Sequence, residues 1–134
     1  MMTTYLSLNY LNEAINNNKI TGKTLLINLI DLKMEKEALN LLKNKNINYN
    51  KIDNFGYIAL AYAILAEMNE LSLELLKKKD IDYNFTDPFG ETILMFSILS
   101  KMKEITSNLL KKEDINYNKD NSDSETALIL ACKK

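Results

Sequence analysis

The sequence predicts an all-α solenoid of helix-turn-helix units joined by hairpin-like loops, and three observations predict it. The chain repeats itself with a period of 34 residues. Each period holds two runs of apolar residues at helical spacing, and an Asn/Asp/Tyr-rich stretch with turn residues closes it. A fixed period of this length marks units that stack in a row.

Laid over one another, residues 22–55, 56–89 and 90–123 share ten identical columns. Six are apolar core candidates: Leu26/Leu60/Leu94, Ile30/Ile64/Ile98, Met34/Met68/Met102, Leu41/Leu75/Leu109, Leu42/Leu76/Leu110 and Ile47/Ile81/Ile115. The others are Gly22/Gly56/Gly90, Lys43/Lys77/Lys111, Tyr49/Tyr83/Tyr117 and Asn50/Asn84/Asn118. A partial fourth copy occupies 124–134, starting with Ser124, Thr126 and Leu128.

Within a unit, Leu26, Leu29 and Ile30 recur at helical spacing, and Met34, Ala38, Leu41 and Leu42 do so again, which predicts two short helices. Thr24, Thr92 and Thr126 stand where a hydroxyl caps the first helix. Lys77, Lys78 and Lys79 crowd the end of a second helix, where the macrodipole favours cations. Asn46, Asp80 and Asp114 follow as left-handed terminators, then an extended Ile-x-Tyr-Asn stretch, then turns at Asp53/Gly56 and Asp87/Gly90. Helices of about eight to eleven residues fall below the ~12–15 at which isolated helices become marginal, so neighbouring units must cover them. The fourth unit has a first helix at about Glu125 to Cys132 and no second helix, so Leu128, Ile129 and Leu130 cannot all be hidden. Either the native chain is longer or that end packs on another molecule, self-association included.

The layout resembles the ankyrin repeat over residues 22 to 132. The D-x-x-G turn reads Asp53-x-x-Gly56 and Asp87-x-x-Gly90, and the T-x-L start of helix one reads Thr24-x-Leu26 and Thr92-x-Leu94. Leu-Leu pairs close helix two, and Tyr-Asn replaces the family's Val-Asn. The resemblance implies a single domain over 1–134. Residues 1–21 form an amino-terminal cap with a helix at about 5–17, followed by repeats at 22–55, 56–89 and 90–123 and a partial one at 124–134. The added residue of the 34-residue period falls between the helices, near the Met34, Met68 and Met102 column. The family's histidine after T-x-L is replaced by Ile27, Ala61, Met95 and Ile129. Asn121 and Ser124 stand for the aspartate and glycine of the last turn, which departs from the pattern there. Tetratricopeptide units share the period, but they join helices by tight turns with boundary prolines, and this chain has long polar loops and a single Pro88.

Composition narrows the function. The net charge is −1, and it divides as +2 over residues 1–56, −3 over 57–90 and 0 over 91–134, so no part is basic enough to favour nucleic acid. A single Cys132 excludes an internal disulfide. The start of the chain does not read as a signal peptide, and no run reaches the ~18 apolar residues of a membrane span. The expectation is a cytoplasmic protein, or one secreted without a recognisable signal.

With no histidine, the chain lacks the commonest general base, a Ser-His or Cys-His nucleophile and a His-containing zinc site. Its three glycines are too far apart to cradle a phosphate. Glu35, Glu37, Glu70, Glu74 and Glu104 lie among lysines and read as solvated helix faces, and Cys132 reads as packing. The expectation is a non-catalytic protein without a cofactor or metal. Asp80, Asp82, Asn84 and Glu91 match positions 1, 3, 5 and 12 of a calcium loop, but Phe85 holds the place of its glycine. The repeat accounts for the same residues, with an asparagine amide bonding loop backbone.

What remains is surface. In ankyrin-like folds a partner protein meets the hairpin tips and the exposed side of the first helices, so the resemblance points to Asn54, Phe55, Tyr57, Pro88, Phe89 and Glu91. Tyr62 and Phe96 join them from a shared column on helix one. Two readings of the aromatics stand side by side: they anchor a partner, or they pack on the adjacent hairpin in place of the missing histidine contacts. The functional expectation is a protein-binding module. The alternatives are an oligomerisation segment of a longer scaffold, a calcium binder or a carboxylate-dependent enzyme.

Overall fold

The computed structural model describes residues 21–133. Among them are seven helices: α1 (Leu25–Asp31), α2 (Glu35–Leu41), α3 (Ala59–Leu65), α4 (Asn69–Leu76), α5 (Ile93–Leu99), α6 (Lys103–Leu110) and α7 (Ala127–Lys133). The described residues form no strand, only a single antiparallel bridge between Thr86 and Thr92. Each helix packs on its own partner and on its counterpart one unit along: α1 on α2 and α3, α4 on α2, α3 and α6, α5 on α3, α6 and α7. This is the predicted all-α stack. The cap helix expected at about 5–17 lies outside the described residues.

Threonines start the first helices as expected. The hydroxyls of Thr24, Thr92 and Thr126 accept hydrogen bonds from the N–H groups of Ile27 (3.2 Å), Met95 (3.1 Å) and Ile129 (3.3 Å). Ile58 offers no such oxygen, and α3 begins without a side-chain cap. The helices are only seven or eight residues long, shorter than the sequence suggests. Their final turns tighten instead: the Lys77 N–H is shared between the Leu73 (3.2 Å) and Glu74 (3.3 Å) carbonyls, and the Lys78 N–H reaches back only three residues, to Leu75 (3.0 Å).

The left-handed residues are not those expected. Asn46, Asp80 and Asp114 do not adopt positive φ; Lys33 (62°), Glu67 (57°) and Lys101 (56°) do, between the two helices of each unit. There the Met34 N–H donates to the Leu29 carbonyl (2.9 Å) and the Lys33 N–H to Ile30 (3.0 Å), a Schellman closure repeated at Met68 and Met102. It falls where the extra residue of the period was expected. The second helix needs no such terminator, because its following turn is held by the preceding unit.

That hold is a ladder between units. The Asn50 amide donates to the Asp80 carbonyl (2.7 Å) and its oxygen accepts from the Asp82 N–H (2.9 Å), while the Tyr49 hydroxyl donates to the Asp80 carboxylate. One unit on, Asn84 clamps Asp114 and Asn116 at 2.9 Å each, and Tyr83 donates to the Asp114 carboxylate. The backbone-bonding role expected for these asparagines is therefore found, directed at the next unit. Lysines also work across units. The Lys78 ammonium donates to the Leu42 carbonyl (2.9 Å) and that of Lys112 to Leu76 (3.2 Å), each at the end of the preceding second helix.

The core is a continuous strip made of the repeated columns: Leu26, Leu60, Leu75, Leu94 and Leu109 are all buried. Its end is visible in one column, where Leu42 and Leu76 are 4% and 2% exposed but Leu110 is 55% exposed. On α7, Leu130 is buried while Leu128 and Ile129 are exposed, as expected of a first helix without its partner. Cys132 is exposed there as well, not packed as the sequence pattern suggested, because nothing among the described residues covers that side of α7.

The ladder gives a direct comparison. Asn84→Ala removes two inter-unit hydrogen bonds and should lower the unfolding free energy by about 1–2 kcal/mol, whereas Asn118→Ala should change it by less than about 0.5 kcal/mol. Urea unfolding of the two variants checks this.

Candidate interaction surface

The hairpins are organised by a buried side chain at the start of each turn. Asp53 accepts from the N–H groups of Phe55 (3.0 Å) and Tyr57 (3.1 Å) through one carboxylate oxygen, while its own N–H donates to the Tyr57 carbonyl (2.9 Å). Asp87 repeats this with Phe89 (2.9 Å) and Glu91 (2.8 Å). Asn121 does the same for Asp123 (3.0 Å) and Glu125 (2.9 Å). The departures at Asn121 and Ser124 therefore leave the last hairpin intact. Its amide oxygen substitutes for a carboxylate oxygen, and Ser124 takes the left-handed φ of 60° that Gly56 and Gly90 take elsewhere.

The second oxygen of each aspartate accepts from a phenol. The Tyr57 hydroxyl donates to the Asp87 carboxylate (3.0 Å), and the Tyr62 hydroxyl donates to Asp53 (2.5 Å). At the last turn the Asn121 amide donates to the Glu125 carboxylate (3.4 Å) and lowers the Glu91 carboxyl that burial raises, so an aspartate there would set carboxylates together.

Tyr57 sits beside Tyr62 and Phe96, with ring centroids 5.6 and 6.2 Å away, and Phe96 is buried. The Lys23 ammonium lies over the rings of both Phe55 (5.4 Å) and Tyr62 (5.3 Å) and pairs with Asp31. Burial, then the bond to Asp53, pushes the Tyr62 phenol well above its ordinary pKa, and burial with the bond to Asp87 raises Tyr57. Glu91 is raised by burial and by Asp87, while the Lys133 ammonium, followed by Asn121, lowers Glu125.

The eight sequence-nominated residues thus fall into two sets. Tyr57, Tyr62, Phe96 and Glu91 are half-buried or buried in the bed on which the hairpins rest. Asn54, Phe55, Pro88 and Phe89 stand at the exposed tips, with Phe55 58% and Phe89 62% exposed. The tips are joined by main-chain bonds from the Asn54 N–H to the Thr21 carbonyl and from the Ser122 N–H to the Phe89 carbonyl, 2.8 Å each. Pro88 has no N–H for the equivalent bond to Phe55, and its ring lies against Gly56, where a Cβ would come within 2.5 Å of it. Lys23 and the organisers Asp53 and Asp87 belong to this surface too. The sequence marked the two aspartates only as turn residues, and nothing in it singled out Lys23.

The carboxylates of the calcium-like pattern are occupied otherwise: Asp80 and Asp114 accept from tyrosines, and Asn84 is engaged with the next turn. Among the described residues, no helix is long and apolar enough to cross a membrane.

Paired short helices, stacked in one row with hairpins projecting from one edge, define a helical repeat protein of the kind that presents loops on a rigid spine. Residues 69–134 match the family model described as ankyrin repeats in three copies, and over these residues the chain is ankyrin repeat. Such repeats are generally protein–protein interaction modules and typically non-catalytic. No curated protein matches the chain.

Two tests follow from the junction chemistry. The unfolded chain ionises its tyrosines near pH 10, before the folded one ionises Tyr57 and Tyr62, so it binds fewer protons and stability should fall as pH rises past about 10. Tyr57→Phe/Tyr62→Phe should flatten that fall, measured by melting temperature at pH 8 and 10.5. Asn121→Asp should cost about 1–3 kcal/mol at pH 7 by setting a further carboxylate beside Glu125 and Glu91. Because the clustered carboxyls then hold protons more tightly folded than unfolded, the deficit should shrink as pH falls toward 4, and Glu91→Gln/Glu125→Gln should remove most of it in urea titrations.

Proposed function

We propose that this chain is a non-catalytic module that binds another protein through its hairpin tips, with Phe55 and Phe89 as anchors and Asn54 and Pro88 beside them. The observation that carries this reading is the pairing of two widely exposed phenylalanines with rigid, fully bonded turns. Neither ring is needed by its turn, which is closed by Asp53 or Asp87 through the backbone. Large side chains held rigidly lose little freedom on binding, which is why such residues dominate interface energetics. Tyr57, Tyr62, Phe96 and Glu91 support the reading as the bed that fixes the tips, with Tyr57 and Tyr62 at its edge within reach of a partner.

Affinity capture from extracts of the source organism, with mass spectrometry, compares the parent with Phe55→Ala/Phe89→Ala. The double variant should keep the parent's melting temperature within a few degrees and lose the specifically captured protein. An unchanged captured set with an intact fold would show that the tips are not the contact surface.

A further inference from the structure

The tips that follow one another along the stack are not alike. They read Asn54-Phe55, Pro88-Phe89 and Ser122-Asp123, each pair exposed and each standing over the same bonded turn. Two features distinguish positions along this row.

The first is an open carbonyl. The Thr21 and Phe89 carbonyls accept main-chain bonds from the Asn54 and Ser122 N–H groups of the following tip (2.8 Å each). Phe55 stands in the same column as these two, but Pro88 brings no N–H to it. A backbone acceptor without a main-chain donor therefore lies between the two phenylalanine tips.

The second is charge. Glu91 is half-buried between the hairpins of Asp87 and Asn121, and the charges that act on it come from Asp87, Glu125 and Asp123, all negative. Lys133 is taken by Glu125, and Asp123 makes no ion pair among the described residues. Both hairpins that flank Glu91 are described, so this junction lies inside the stack; a further unit would add on the far side of the fourth hairpin. The first junction shows the arrangement complete. There the Lys23 ammonium lies over the Phe55 and Tyr62 rings and pairs with Asp31. In the column of Lys23 the later units carry Tyr57 and Glu91, so beyond Phe89 the chain supplies carboxylates and leaves the cation out.

Resting on the reading of the tips as the contact surface, we propose that their occupant is an extended segment of the partner protein that places an apolar residue between Phe55 and Phe89 and a lysine or arginine at Glu91 and Asp123. A backbone N–H beside the apolar residue donates to the Phe55 carbonyl. Packed units lie roughly 8–10 Å apart, which an extended chain covers in about three residues, so the pattern read is apolar-x-x-basic in one chain direction or the other. A helix does not fit, because its N–H groups beyond the first turn are spent within it. The acids fix the register, since they stand on one side of Phe89 only.

The test selects random dodecapeptides, displayed on phage, on the immobilised full chain and remakes an enriched sequence as a fluorescent peptide. An apolar residue with a lysine or arginine about three positions away is expected. Replacing that basic residue by glutamine should weaken binding to the parent about tenfold, and to Glu91→Gln/Asp123→Asn by less than about twofold. Methylating the backbone nitrogen that meets Phe55 should weaken binding about fivefold, and Pro88→Ala, which returns an N–H to that tip, should remove the difference. Enriched peptides without a basic residue, a basic preference that survives Glu91→Gln/Asp123→Asn, affinity untouched by methylation at any nitrogen, helical sequences, or no enrichment would each overturn the proposal. If such peptides are lost from Phe55→Ala/Phe89→Ala, the tips remain the contact surface and only the occupant is wrong; if that variant still holds them, the reading of the tips fails too. Sedimentation showing a dimer that Phe55→Ala/Phe89→Ala dissociates would assign the tips to a second copy and overturn the proposal as well.

Discussion

Helices of seven or eight residues hold their shape here only when covered, and the whole molecule is arranged to cover them. Among the described residues α3 and α5 each lie between two other first helices and α4 between two other second helices, and helix contacts never skip a unit. Stability is therefore passed along a line, and no central core exists to which every unit contributes. The column of Leu42, Leu76 and Leu110 shows the rule at work. An identical side chain is core where a following unit exists and surface where none is described.

Polar groups decide which surfaces meet. A stack of apolar strips alone would tolerate slippage, since one leucine resembles another. The Tyr-Asn clamp and the back-reaching lysines bond specific backbone atoms 30 to 36 residues away, which fixes each unit's register on the last. The hairpins add a second register mark. Asp87 faces a phenol that donates, and the Asn121 amide faces the Glu125 carboxylate, which accepts, so the choice between acid and amide at a turn follows the groups around it. Either residue closes the turn equally well with its single oxygen.

Much of this was legible in the sequence. The period, the helix pairs, the threonine caps, the buried columns and the uncovered α7 all follow from spacing and residue type. The errors concern residues whose role is set by what folds beside them, in the adjacent unit or within the same one. Asp80 and Asp114 look like helix terminators because they follow a helix, yet Tyr49, Asn50, Tyr83 and Asn84 hold them, and the left-handed residues are Lys33, Glu67 and Lys101, whose types give no hint of it. Among the surface candidates, Phe55 and Phe89 could be told from Tyr57, Tyr62 and Phe96 only with the hairpins in place. An aromatic in a turn and one in a helix are equally apolar on paper, and burial depends on what folds over them.

The proline at the second tip has a mechanical consequence. At the flanking junctions, load between neighbouring hairpins passes through a main-chain hydrogen bond; between Phe55 and Pro88 it passes through a phenol, a carboxylate and a ring resting on a glycine. Side-chain links yield to shear over a longer distance than a backbone bond does. The two phenylalanines thus stand on opposite sides of the one described junction between tips that has no main-chain bond.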